Sequence, residues 1–131
     1  MIHAKLKRLH SPEIFDLSSH SPAEPDNFGF LLQAMIRPAN DRGEESFDLV
    51  VCTPDWLKQK CANNIVSGYH YLIVSRYNHA ALQKYIEDFV SRCSGTSWRE
   101  VARKLARLGR WEFEDYYESS EYEGDRLMGD A

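Results

Sequence analysis

The strongest constraint on this chain is a pair of apolar runs joined by a few polar residues. Residues 28–36, FGFLLQAMI, are apolar at nearly every position, and Pro38 closes the run. The stretch PANDRGEE that follows is built on Asn40, Asp41 and Gly43, residue types that favour turns. Residues 46–52, SFDLVVC, then put Phe47, Leu49 and Val51 on one side of an extended chain. So short a connection joins antiparallel neighbours, because parallel strands need a crossover of a dozen or more residues. A doubly wound parallel sheet does not satisfy this pattern. The first run reads as a central strand, apolar on both faces.

The other elements arrange themselves around that hairpin. Residues 2–9, IHAKLKRL, alternate through Ile2, Ala4 and Leu6, which gives a half-buried strand with a basic outer face. Residues 11–27 hold three prolines among Ser, Asp and Asn and read as a long ordered loop. Thr53 before Pro54 is a helix start, a capping hydroxyl followed by proline at the first helical position. The short helix PDWLKQKC buries Trp56 and Leu57, and residues 69–75, YHYLIVS, form another strand. Asn78 caps a longer helix with Leu82, Tyr85, Ile86, Phe89 and Val90 on one face, and Gly95 stops it. Ser97 with Glu100 is a capping box for a second longer helix, whose stripe is Trp98, Val101, Leu105 and Leu108, with Gly109 as its stop. Residues 110–116, RWEFEDY, alternate as a final, edge strand. The expectation is an α+β fold, a mainly antiparallel sheet of about five strands with two longer helices and one short helix packed on one face.

A chain of 131 residues suits one domain, expected over residues 1–117, followed by an acidic, flexible tail at 118–131. A domain of this size buries roughly two thirds of its unfolded surface, so it needs no disulfide or metal to hold it. Cys52, Cys61 and Cys93 are odd in number and widely spaced, which points to reduced thiols. No apolar run reaches the roughly 20 residues of a membrane helix, and MIHAKLKRLH lacks the apolar block of a signal peptide. A cytoplasmic protein without a membrane partner is expected.

The chemistry of a catalyst is hard to find. His3, His10, His20, His70 and His79 show no metal-ligand spacing, and His70 and His79 read as structural. Cys52 ends an apolar strand, where a thiol is more often core than nucleophile. The acid pairs Glu44–Glu45 and Glu112–Glu114–Asp115 read as solvated charge in a turn and on a strand face. No catalytic residue, cofactor, metal or small-molecule substrate is expected.

Charge is more informative. Residues 112–131 hold eight acids against Arg126, a charge of −7, which leaves +3 for the rest of the chain. Arg99, Arg103 and Arg107, at i, i+4 and i+8, form a basic stripe with Lys104 and Arg110 nearby. That stripe permits an alternative role as an adaptor or nucleic-acid-binding module. The acidic balance of the whole argues against nucleic acid, and the stripe could instead hold the acidic end of the same chain. In the segment EFEDYYESSEYE, acids interleave with Tyr116, Tyr117 and Tyr122, which suits recognition of a basic protein. The candidate binding residues are Glu112, Glu114, Asp115, Tyr116 and Tyr117, extended by Glu118 and Glu121.

The strings NFGFLLQAMIRP, EESFDLVVCTPDWL and SWREVARKLARLGRWEFEDY together resemble the bacterial polymorphic-toxin immunity family called immunity protein 8, over roughly residues 1–117. Arg37 stands where that pattern has glycine before the proline, which leaves the local turn open. The resemblance implies an α+β protein encoded beside a toxin, which binds that cognate toxin and protects the producing cell. It brings no catalytic residues. Phe47, Asp48, Cys52, Thr53, Pro54, Trp56, Trp98, Trp111 and Phe113 match the pattern, nearly all as scaffold.

Overall fold

The computed structural model describes residues 1–114. The elements are β1 (Ile2–His10), β2 (Gly29–Pro38), β3 (Glu45–Cys52), α1 (Pro54–Cys61), β4 (Tyr71–Ile73), α2 (His79–Ser91), β5 (Ser94–Gly95), α3 (Trp98–Leu105) and β6 (Arg110–Trp111). The six strands form one sheet in the order β4-β3-β2-β1-β5, and β6 also pairs with β3.

The hairpin is as expected, with β2 and β3 antiparallel from Gly29↔Cys52 to Ile36↔Glu45. Arg37 holds its turn by donating to the carbonyls of Ala39 and Asp41. β1 lies antiparallel against β2 with a register shift between Leu6 and Arg8. That bulge is why Leu9 rather than Arg8 returns to the inner face.

Four features differ from the sequence reading. The sheet is mixed, because β4 runs parallel to β3, with α1 as the crossover. β2 is not apolar on both faces in the sense of being buried on both. Phe30, Leu32, Ala34 and Ile36 are buried, whereas Gly29, Leu31, Gln33 and Met35 are half-exposed. The helices are not all on one face. α2 and α3 supply Leu82, Ile86, Val90, Val101, Ala102 and Leu105 to the core over the Phe30 face. α1 buries no residue, and Trp56 sits on the other face, where a Cβ on Gly29 would stand 2.3 Å from its ring. Finally, α3 spans only eight residues, no longer than α1, so one helix is long rather than two. Of the α2 stripe, Tyr85 is 50% exposed.

Buried Thr53 joins the two layers. Its hydroxyl accepts from Phe28 N–H at 3.1 Å and caps α1 by accepting from Trp56 N–H at 3.5 Å. Its own N–H donates to Phe28 C=O at 3.0 Å. A buried hydroxyl is tolerated because it is itself hydrogen-bonded.

Candidate functional site

β6 is two residues long, yet it positions everything that follows. Trp111 is 3% exposed and stacks parallel to Phe47 with centroids 6.3 Å apart. Its indole N–H donates to Glu45 Oε2 at 3.1 Å, and Trp98 of α3 donates to the same oxygen at 2.5 Å. Glu45 is therefore not a solvated turn residue. As the first residue of β3 it accepts two tryptophan N–H groups, binding α3 and β6 to the sheet in one half-buried contact. Glu44 beside it is also half-buried, paired with Arg8 at 2.9 Å and Lys7 at 3.5 Å.

The leucine-rich end of α3 meets β3 so closely that Gly109 admits no side chain. A Cβ there would lie 2.9 Å from the carbonyl carbon of Phe47. Gly109 serves a close approach of two backbones, and its φ is not positive.

Of the proposed binding residues, Glu112, Glu114 and the neighbouring Phe113 are described. Glu112 is exposed but engaged. Its Oε1 accepts from Ser46 N–H at 2.7 Å, and its N–H donates to Ser46 C=O at 3.1 Å. It is thus a pin on the sheet edge as well as a surface acid. Phe113 is 38% exposed and packs edge-on against Trp111, and Glu114 is half-buried. The chain leaves β3 by a turn at Glu112 and Phe113, so the expected strand stops at Trp111 and does not run to Tyr116. Asp115, Tyr116, Tyr117, Glu118 and Glu121 lie outside the described residues, as does the expected domain boundary at 117.

The basic stripe is brought together as its spacing suggests. Arg99, Arg103 and Arg107 line a shallow depression of about 290 Å³ with Ser97, Glu100 and Lys104. Lys104 donates to Ser94 C=O at 2.6 Å and pairs with Glu100 at 3.8 Å. Glu100 in turn accepts from Thr96 N–H and hydroxyl at 2.9 and 2.7 Å, and these bonds, the hydroxyl's first, hold its carboxyl below the usual range.

Other residues with reactive side chains are structural where the fold places them. Cys52 is fully buried, and burial raises its thiol pKa, the opposite of what a nucleophile needs. His70 stands in the turn before β4 rather than in a strand, with φ of 66°. Its Nε2 lies 2.6 Å from Ala106 C=O, and Tyr69 Oη donates to the same carbonyl at 3.0 Å. Two side chains thereby satisfy the end of α3. His20 packs edge-on against Tyr77 at 5.2 Å. Among the described residues, no three His, Cys, Asp or Glu side chains gather as metal ligands would, and no helix is long and apolar enough to cross a membrane.

One region, the free side of β4, is not evident from the sequence. Ile73 is 53% exposed and, with Tyr85, borders a groove of about 460 Å³ between β4 and α2. In YHYLIVS both alternating sets are largely apolar, and that was the available signal. Tyr71 and Ile73 alternate with Leu72 on this short strand, so neither of its faces is polar, which is more apolar surface than a solvated edge requires.

No curated protein and no solved structure matches this chain. A family model does, described as immunity protein 8, over residues 4–116. The match runs from Ala4 within β1 through β6 and takes in Glu112, Phe113 and Glu114. The chain belongs to the immunity protein 8 family.

Proposed function

We propose that this protein neutralises a cognate bacterial toxin by binding it, without chemistry of its own. The family match across residues 4–116 carries this reading. The buried, raised thiol of Cys52 and the structural engagement of His70 and Glu45 support the non-catalytic part.

The acid-rich end supplies the steering charge. Glu112, Glu114, Asp115, Tyr116 and Tyr117, extended by Glu118 and Glu121, meet a basic surface on the toxin. Residues 112–131 hold the largest concentration of acidic charge on the chain, −7. Opposed fields raise the rate of encounter, and a rim charge acts mainly on that rate. Glu112 gives one oxygen to Ser46, so Glu114 and Asp115 are the better residues to reverse. The partner to use is the polypeptide encoded directly upstream of this chain. Glu114→Lys with Asp115→Lys should slow its association, most strongly at low salt, and leave the melting temperature unchanged. An early-melting double variant that binds normally once folded would assign these acids to internal pairing with the α3 stripe. Salt-independent, wild-type association would move the toxin contact elsewhere.

A further inference from the structure

We propose that the outer edge of β4, with the groove beside it, accepts an extended strand of the toxin; this rests on the toxin-binding reading above. β4 ends the strand order, and among the described residues no strand pairs with its far side. In a parallel ladder, alternate residues bond to the neighbour. His70 C=O accepts from Val50 N–H at 2.9 Å, and Val74 N–H donates to Cys52 C=O at 2.8 Å. Leu72, in register with Val51, completes that set. The N–H and C=O of Ile73 and the C=O of Tyr71 therefore point away from the sheet, while Tyr71 N–H donates to Gly68 C=O at 3.2 Å. An antiparallel strand laid here would exchange two hydrogen bonds with Ile73.

Strand side chains alternate between faces. The visiting residue opposite Ile73 would share the face of Cys52 and Gly29, the one that carries α1. Its two neighbours would face α2, over the groove walled by Leu72, Val74, Tyr77, Ala81 and Leu82. Those two positions call for apolar side chains. A second copy of this chain, pairing through its own β4, would offer Leu72 and Val74 there, and both already pack against their own core. The groove would stay unfilled, which favours a foreign strand. Charge narrows the visitor further. Arg76 is the one charged residue on the groove wall, largely exposed and paired with Asp26 only at 3.7 Å. A carboxylate on the strand, beside its apolar positions, complements it.

The site is also continuous with the acid-rich end. β4 pairs with Val50–Cys52 and β6 with Phe47 and Asp48, along one side of β3. Among the described residues, two exposed large apolar side chains, Ile73 and Tyr85, border this groove, and a third, Tyr69, stands in the turn before β4. Clustered apolar exposure of this kind marks interaction surfaces. Strand addition draws affinity from backbone bonds and specificity from alternate side chains.

Ile73→Pro removes the outward N–H and leaves the bonds to β3 in place, and proline is tolerated on sheet edges. Ala81→Tyr fills the groove from an exposed helical position. Against the upstream-encoded polypeptide, each should raise Kd by about tenfold or more with melting unchanged. The Ile73 amide should exchange with solvent more slowly in the wild-type complex than in the free protein. Wild-type affinity in both variants, or equal Ile73 exchange free and bound, overturns the edge site while leaving toxin binding intact. Absence of any complex with the wild-type protein overturns both. If Ile73→Pro melts early, Ala81→Tyr and the amide exchange decide.

Discussion

The two sides of β3 are built by different means. Toward β2 the pairing runs from Gly29↔Cys52 to Ile36↔Glu45, and a periodic apolar pattern specifies it. Toward β4 and β6 the pairing covers three residues and then two. Such short strands hold their place through side chains from elsewhere: Glu45 to Trp98 and Trp111, Glu112 to Ser46, and Tyr69 and His70 to Ala106. Local pattern makes the first side, and non-local pins make the second. The pinned side is also where the proposed binding features gather.

Breaking the pins should show how much they carry. Trp111→Ala removes a buried ring, its stack on Phe47 and one bond to Glu45, and should cost about 3–5 kcal/mol, as truncation of a large core aromatic does. A thermal melt reads this directly. A near-wild-type melt would mean that β6 is incidental to the fold.

Glu45→Ala should cost less, about 1–3 kcal/mol, because it removes the oxygen that accepts from both half-buried Trp98 and buried Trp111. Glu45→Gln keeps an acceptor oxygen and should retain most of that stability. Equal melts for the two variants would assign Glu45's contribution to charge rather than to the shared hydrogen bond.

The smallest effect belongs to the outer face. The hydrogen bond from Arg8, helped by the charges of Arg8 and Lys7 against a smaller opposing effect of burial, holds the Glu44 carboxyl below its ordinary range. A depressed folded-state pKa means the pair's stabilisation is present above the unfolded value and disappears as pH falls through the folded one. Melts of wild type and Glu44→Gln should differ slightly at neutral pH and converge on acidification. A difference that grows toward acid would reverse the assignment.

The two sides also differ in how far the residues announce them. The hairpin, the Thr53, Asn78 and Ser97 caps and the buried α3 stripe follow from period and capping chemistry, and the structure has them. The parallel placement of β4 does not follow, because seven residues of YHYLIVS carry no sign of which neighbour they will choose. Glu45 looked like turn charge because its partners, Trp98 and Trp111, lie 53 and 66 residues away. Tyr85 fell on the apolar stripe of α2 by spacing, yet that face extends past the edge of the core. For the candidate site, the acid-rich segment was visible as composition, whereas the open edge of Ile73 exists only once β4 has been placed.

Neutralisation as proposed is stoichiometric binding, with no turnover. A titration of the upstream toxin's activity with this protein tests it most directly, with the mass of both polypeptides measured afterwards. Inhibition should be complete at one molar equivalent, both masses should be unchanged, and the two chains should elute together. Full inhibition at a small fraction of an equivalent, with a covalently altered toxin, would contradict it.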